Sequence, residues 1–375
     1  MRIAIEAQRL FRPKKHGMEV VTLELIKAMQ ELGPSDEIRV FIKDDKDDQC
    51  LHNSNNVIIH KTSSHNYPYW EQVLLPKLVG KFKPDILHCT SNTGPLIGGT
   101  PIILTLHDII YLESINFDGT PYQNFGNIYR RFIVPQIVSK AKKIITVSEF
   151  EKEKIIKKLN LPEDKISVVY NAKSEKFKKI DDLDLLESFK VAHNLPDKFI
   201  LFLGNTAPKK NTPSMIKAYC EYLERSSNGL KMVVLDLKEE VLNKILADQG
   251  FNKFREYFVL PGYIRASEMP LIYNLAELYV YPSLRESFGL PIVEAMACNT
   301  PVITSNTSSM PEVAGGAAKL IDPFNHSTIT EALLELADNE EKKEDLKIQG
   351  LKRSSFFSWE NAAGQMLKYY HELIN

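Results

Sequence analysis

The sequence predicts an α/β protein in which a doubly wound parallel sheet is built twice over. Three observations carry that prediction. Short, mostly apolar runs of strand length alternate with longer amphipathic runs of helical length along the whole chain. The rhythm breaks once, in a charged and polar stretch at about residues 171–197, and then restarts. Polar residues follow the strand-like runs repeatedly. Strands buried on both faces read as near-continuous apolar segments, and the helices between them return the chain to begin a parallel neighbour.

In chain order, the opening MRIAIEAQRL reads as a strand at once, and the loop RPKKHGMEVV leads into the helical pattern VVTLELIKAMQEL. IRVFI, DILHC, PIILTLHDII, KIITVS and ISVVY follow as strands, with EFEKEKIIKKL as a helix before the last of them. After the break, FILFLG restarts the pattern as a first strand would, and KMVVLDL, YFVLPGY, LYVYPS and PVITSN continue it. SMIKAYCEYLE and PIVEAMAC are helical between them. The final SWENAAGQMLKYYHELI is an amphipathic helix with Ser358 as its N-cap. The expected division is a first domain over residues 1–172 and a second over 190–357. The helix over about 358–375 is expected to pack back on the first.

A chain of 375 residues is comfortable for two domains, and 43% apolar with 25% charged residues is ordinary for a globular protein. With 47 basic against 48 acidic residues, nucleic acid is not an expected partner. Cys50, Cys89, Cys220 and Cys298 are scattered without a Cys-x-x-Cys pair, which points to a reducing compartment and away from structural zinc. No secretory leader and no apolar stretch of membrane-spanning length is present, so a cytoplasmic location is expected.

In open α/β sheets ligands gather at the carboxyl ends of the strands, so the residues there are the candidates for chemistry. FILFLG runs through Gly204 into Asn205, Lys209 and Lys210, and a helix is expected to start with Thr212 as cap and Pro213 in its first turn. Two ammonium groups beside a helix N-terminus suit a phosphate, though a solvated surface pair is the plain alternative. After LYVYPS, Glu286 lies in a loop and Glu294, eight positions on, in the opening turns of a helix that Pro291 begins. Phe288, Gly289 and Leu290 would present backbone N–H groups to an anion there, and the carboxylates would accept from hydroxyls. The alternative is that acidic residues simply favour a helix start. His107 follows PIILTL and can face a ligand or pack in the core. Gly17 in the first loop can let the backbone approach a ligand, while its basic neighbours can equally be solvent-facing charge.

Together these segments resemble the retaining glycosyltransferases of family 4, which have the GT-B fold: two Rossmann-like doubly wound domains facing across a cleft. ESFGLPIVE at 286–294 resembles the family's Glu-x7-Glu motif, and GNTAPKKN at 204–211 its strand-end phosphate segment. TLHD at 105–108 and ITVSEF at 145–150 resemble first-domain landmarks. WEQVLLP at 70–76 and PDILHCTSNTGP at 84–95 resemble members that build bacterial surface polysaccharides, mannosyltransferases among them. The resemblance implies that Lys210 and Lys209 meet the donor diphosphate and Glu294 the ribose hydroxyls. It places Glu286 near the sugar hydroxyls, with the backbone of Phe288, Gly289 and Leu290 at the sugar and phosphate. His107 would lie near the reacting sugar, and Gly17 would belong to a loop enclosing the donor. The chain departs from the pattern at Lys209, where arginine is frequent, at His16, where a second glycine is frequent, and at Asp236, where a glycine is common.

The implied substrates are a nucleotide-sugar, with GDP-mannose as first choice by resemblance and UDP-sugars or dTDP-rhamnose as alternatives, and a glycan or polyprenyl-linked acceptor. No cofactor and no metal are expected, since the strand-end site has two lysines and no Asp-x-Asp. Lys140, Lys142 and Lys143, with Arg130 and Arg131, form either a contact for anionic membrane or a solvated helical face. A nicotinamide oxidoreductase is disfavoured because neither first strand is followed by Gly-x-Gly-x-x-Gly. A non-catalytic nucleotide or sugar binder is the rival of a different class.

Overall fold

The computed structural model describes residues 1–33, 35–63, 66–113 and 121–374. The chain forms two compact units, Met1–Ala172 with Ser358–Asn375 and Lys173–Phe357. Each is a parallel sheet wrapped by helices.

The first unit has seven strands: β1 (Arg2–Glu6), β2 (Glu37–Lys43), β3 (Val57–Thr62), β4 (Ile86–Cys89), β5 (Ile102–Thr105), β6 (Lys143–Thr146) and β7 (Ile166–Val168). Their order is β3-β2-β1-β4-β5-β6-β7, every pair parallel. Alternate residues of each strand point to opposite faces, so each strand feeds two cores. Ile3, Ile5, Val40, Ile42 and Ile86 pack under the helices Gly17–Leu32 and Trp359–Glu372. Ala4, Phe41, Leu87 and Leu104 pack on the other face against Trp70, Val79 and Ile137. The last helix belongs to this core: Ala363, Met366 and Tyr370 are fully or almost fully buried in it. Ser358 caps that helix by accepting from the Asn361 N–H at 3.1 Å.

The second unit repeats the plan with β8 (Phe199–Leu203), β9 (Lys231–Leu235), β10 (Phe258–Val259), β11 (Leu278–Tyr281), β12 (Val302–Ser305) and β13 (Lys319–Ile321), ordered β10-β9-β8-β11-β12-β13. Its core joins Ile200, Phe202, Val234 and Val280 to Met215, Tyr219 and Leu333 of the covering helices. The charged stretch that interrupts the sequence rhythm contains a helix, Leu183–Ala192, capped by Asp182 and packed on the helix Met269–Leu275.

Both sheets reverse strand order at one point, between β1 and β4 and between β8 and β11. There, crossovers depart to opposite sides and leave a crevice beyond the carboxyl ends, which is where doubly wound sheets take ligands.

Candidate active site

In the second unit, the two strands that flank the switch point are the ones that lead to the charged candidates. Lys209 and Lys210 follow β8, and Glu286 follows β11. The structure brings these three side chains together. Glu286 Oε1 accepts from Lys210 Nζ at 2.8 Å, and its Oε2 accepts from Lys209 Nζ at 3.2 Å. Lys210 also donates to the Tyr281 hydroxyl at 2.8 Å and lies 4.6 Å from the centre of that ring. Burial alone would raise the Glu286 carboxyl, but Lys210 and Lys209 outweigh it and hold the group below its ordinary value. Lys210 is pushed below its ordinary value by burial, against the opposing pull of Glu286. The cluster carries a net single positive charge. Each carboxylate oxygen keeps lone-pair capacity for a hydroxyl donor.

The loops around this cluster are held by backbone features. Gly204 leaves β8 where a Cβ would come 2.7 Å from Phe202 Cε1 and 3.0 Å from Val234 Cγ1, so no other residue fits without movement. Asn205 uses its Oδ1 to accept from the Ala207 N–H at 2.9 Å, and its carbonyl accepts from Thr212 Oγ1 at 2.7 Å. The helix Thr212–Arg225 is capped by Asn211, in the left-handed region at φ 59°, rather than by Thr212, whose hydroxyl is spent on that carbonyl. Asn211 in turn donates to the Pro323 carbonyl at 2.7 Å. Asp236, where a glycine was the more usual expectation, is also left-handed at φ 59°. Its charge acts favourably on Lys210.

Gly289 stands at φ 101° and caps the helix Leu290–Ala297 with no side chain on the free N–H groups. Pro291 lies in its first turn, as expected. The Phe288 side chain is buried, edge-on to Phe357 at 5.4 Å between centroids, so only its backbone can serve a ligand. A set of hydroxyls from β12 and the loop after it, invisible to the sequence reading, fixes this segment. Thr304 Oγ1 donates to the Tyr281 carbonyl, Ser305 Oγ to that of Ser283, and Ser309 Oγ to those of Glu286 and Phe288, all at 3.0 Å or less. Ser308 Oγ accepts from the Glu286 N–H at 3.1 Å. Glu294 sits on the helix beside Tyr273 and Tyr279. Burial lifts its carboxyl to about 7, with Lys176 and Tyr273 only partly offsetting the rise.

The remaining candidates lie in the first unit. His107 is buried beyond the end of β5; its Nε2 donates to the Thr90 carbonyl at 2.9 Å and its backbone N–H to Asn92 Oδ1 at 2.7 Å. Burial pulls the imidazole below its ordinary value, so it is held neutral. Its neighbour His88, which sequence reasoning did not single out, is fully buried between Tyr370 Oη at 2.6 Å and Thr105 Oγ1 at 2.7 Å, with burial lowering it to about 3. Gly17 begins the helix Gly17–Leu32, with open space where a Cβ would stand. Of the basic stretch, Arg130 lines a cavity, while Lys140 and Lys143 donate to the carbonyls of Leu96 and Asp164. That cavity, of about 630 Å3, opens beyond β1, β2 and β4 at the first sheet's own switch point. Among the described residues no helix is long and apolar enough to cross a membrane, and no three His, Cys, Asp or Glu residues cluster as metal ligands.

Comparison with known proteins gives concordant results. The family model for Glycosyltransferase Family 4 matches residues 16–172, and that for Glycosyl transferases group 1 matches residues 184–353. O-antigen chain mannosyltransferase B of Escherichia coli is 30% identical over 276 residues, covering 72% of this chain and 69% of that protein. Serotype-specific mannosyltransferase WbdA of Escherichia coli is 29% identical over 276 residues, or 72% of this chain; the match takes in about a third of WbdA's length (33%). Among solved structures, HepE of Anabaena in complex with UDP and glucose superposes with a TM-score of 0.73 at 17% identity, covering 99% of this chain and 100% of that one.

Proposed function

We propose that this chain, which belongs to the glycosyl transferases of group 1 and has their GT-B fold, transfers a hexose with retention from a nucleotide-sugar to a glycan or lipid-linked acceptor. The observation that carries the reading is the convergence of Lys209, Lys210 and Glu286 at the second sheet's switch point, beside the helix end that Gly289 caps without a side chain.

In this reading the diphosphate lies against the two ammonium groups and the N–H groups of that helix end. As the bond from the anomeric carbon to the phosphate oxygen breaks, negative charge grows on the diphosphate. Preorganised positive groups act where charge develops and need no reorganisation at that moment. The acceptor oxygen bonds to the anomeric carbon on the same face, and its proton passes to the departing phosphate oxygen. No side-chain base is required. His107, neutral and fixed by Thr90, is a group for positioning the sugar. Glu294 is assigned to the ribose hydroxyls and Glu286 to those of the sugar, while it also neutralises part of the lysine charge. The two lysines stand in for a divalent ion.

Similarity to WbdA, a serotype-specific mannosyltransferase, and to O-antigen chain mannosyltransferase B supports mannose as the sugar and polysaccharide assembly as the setting. GDP-mannose is the donor we favour. HepE, crystallised with UDP and glucose, is the reason to keep UDP-sugars in the screen. A peripheral contact with anionic membrane is assigned to the helix Pro121–Lys140, where Phe125, Ile128 and Phe132 are exposed at helical spacing beside Arg131. The test of function is nucleotide release from GDP-mannose, UDP-glucose and dTDP-rhamnose with a mannan or lipid-linked acceptor. Release from one donor with formation of a product that keeps the donor's anomeric configuration supports the reading. Binding without release from any donor returns the chain to the class of non-catalytic binders.

A further inference from the structure

Three buried side chains beside His107 form a hydrogen-bonded relay that none of the roles above uses. Tyr370 Oη lies 2.6 Å from His88 Nδ1, and His88 Nε2 lies 2.7 Å from Thr105 Oγ1. Burial keeps His88 neutral, so one ring nitrogen carries a hydrogen and the other accepts one. The partners decide which. Tyr370 is fully buried, and its hydroxyl has no partner but His88 among the described residues. A phenol hydrogen turned anywhere else would be an orphaned buried donor, a costly arrangement. Tyr370 therefore donates to Nδ1, and the ring hydrogen sits on Nε2 and is donated to Thr105 Oγ1. That leaves the hydrogen of the Thr105 hydroxyl unspent, since the hydroxyl has no other partner among the described residues. Tyr370 and His88 are sealed, whereas Thr105 is 8% exposed, so its hydrogen is the one that can face outward.

His107 presents the complementary group. Its Nε2 meets the Thr90 carbonyl, which can only accept, so in the neutral ring Nδ1 is the acceptor. Nδ1 has no partner among the described residues. Asn92 ties the two residues together: its N–H donates to the Thr105 carbonyl at 3.1 Å, and its Oδ1 accepts from the His107 N–H at 2.7 Å. Thr105 is the last residue of β5 and His107 stands two positions on, so one strand end carries a fixed donor and a fixed acceptor. A sugar hydroxyl both donates and accepts. A fully ionised phosphate only accepts, and an ammonium only donates. The pair therefore matches hydroxyls rather than either ion.

We propose that Thr105 and His107 together read hydroxyls of the donor sugar, Thr105 donating and His107 Nδ1 accepting, and that Tyr370 and His88 are positioning residues that keep the Thr105 hydrogen available. The proposal rests on the transferase reading for the sugar's source, a nucleotide-sugar, while the hydrogen assignments stand on the relay itself. The last helix of the chain, through Tyr370, then sets which way a hydroxyl at the end of β5 can bond.

The test starts with ring-nitrogen NMR of the full chain carrying isotope-labelled histidine. The expected result is hydrogen on Nε2 of both His88 and His107. The His107 Nδ1 signal should move on adding GDP-mannose, UDP-glucose or dTDP-rhamnose, and stay in place with the matching nucleotide diphosphate alone. Donor turnover by variants follows. Thr105→Val should lower kcat/KM roughly tenfold, as for one lost hydrogen bond, with nucleotide diphosphate affinity unchanged, and Thr105→Ser should recover most of the loss. Tyr370→Phe should cost less. The double variant Thr105→Val/Tyr370→Phe should lose no more than Thr105→Val, because both act through one hydrogen. Donors with each sugar hydroxyl replaced in turn by hydrogen locate the contact: at one position the parent loses roughly tenfold and Thr105→Val little more. If Thr105→Val melts below the parent, the NMR of the parent decides. Hydrogen on His88 Nδ1, a His107 signal that no sugar nucleotide moves, additive losses in the double variant, or parent-like turnover by a folded Thr105→Val overturns the proposal. A His107 signal moved by a sugar nucleotide that is never turned over overturns the transferase reading instead.

Discussion

Replacing Glu294 by glutamine gives a stability difference whose dependence on pH follows from the structure. In the folded chain burial holds the carboxyl protonated to about pH 7, whereas the unfolded chain ionises near 4.5. Between those values the folded state keeps a proton that unfolding releases, so stability falls as pH rises through the window. At about 1.4 kcal/mol per pH unit, the gap amounts to roughly 3 kcal/mol at pH 8 and nothing near pH 4. Glutamine cannot ionise. Glu294→Gln should therefore match the parent near pH 4.5 and exceed it by up to about 3 kcal/mol at pH 8. Glu6, which burial also raises to about 7, titrates in the same window, but it is common to both proteins and cancels in the difference. Binding has the opposite sign. In the proposed role an ionised Glu294 accepts from ribose hydroxyls, so nucleotide affinity in the parent should rise by up to roughly tenfold per pH unit below 7 and level off above it. Near pH 6.5 binding should release a proton, visible as different heats in buffers of different ionisation enthalpy. The assays are urea unfolding and calorimetry with GDP from pH 5 to 8.5. Parallel pH profiles for parent and variant, in stability and in affinity, would refute both the burial argument and the ribose assignment.

Other expectations follow from single contacts. Gly289→Ala places a methyl 3.1 Å from Ile292 Cδ1 at φ 101°, so it should lose about 1–3 kcal/mol in urea unfolding and weaken nucleotide binding as the helix end shifts. Ser309→Ala strips the donor from the Glu286 and Phe288 carbonyls, both under buried Ser309, and should cost about 1–3 kcal/mol with a higher donor KM. His107→Ala should lower kcat, yet the parent's activity should show no His107 ionisation above pH 6.5, because burial keeps that ring neutral there. An activity limb in that range that vanishes in His107→Ala would contradict the assignment. Flotation with anionic vesicles should retain the parent and lose Phe132→Ser at low salt; equal flotation would count against the helix Pro121–Lys140 as the contact.

The alternation of apolar runs and helices made the doubly wound plan legible, since residues such as Ile3, Ile5 and Ala4 bury on both faces of β1 and leave an unbroken apolar signal. Two edge strands escaped that reading. β3 is only partly buried and carries His60 and Lys61, and β13 is three residues long. Glu286, Lys209 and Lys210 were legible as candidates because motif spacing is local, but their mutual contact joins residues 76 and 77 positions apart. The hydroxyls of Thr304, Ser305 and Ser309 gave no signal, because serine and threonine are ordinary loop residues until the parallel pairing of β11 with β12 sets them beside the Tyr281–Phe288 segment. The first unit's cationic cavity was hidden for the same reason. It gathers Arg9 from the loop after β1, Lys43 from the end of β2 and Arg130 from the helix Pro121–Lys140, and each alone reads as surface charge.

The most direct test of the proposed lysine-paired phosphate site is single-turnover cleavage of the donor sugar–phosphate bond by Lys210→Ala. Lys210 holds Glu286 at 2.8 Å and is mostly buried, so its removal strips the preorganised charge nearest the carboxylate. The rate should fall by roughly 30- to 1,000-fold, corresponding to about 2–4 kcal/mol of lost stabilisation of the departing diphosphate. A variant that folds and cleaves the donor at the parent rate would contradict the account.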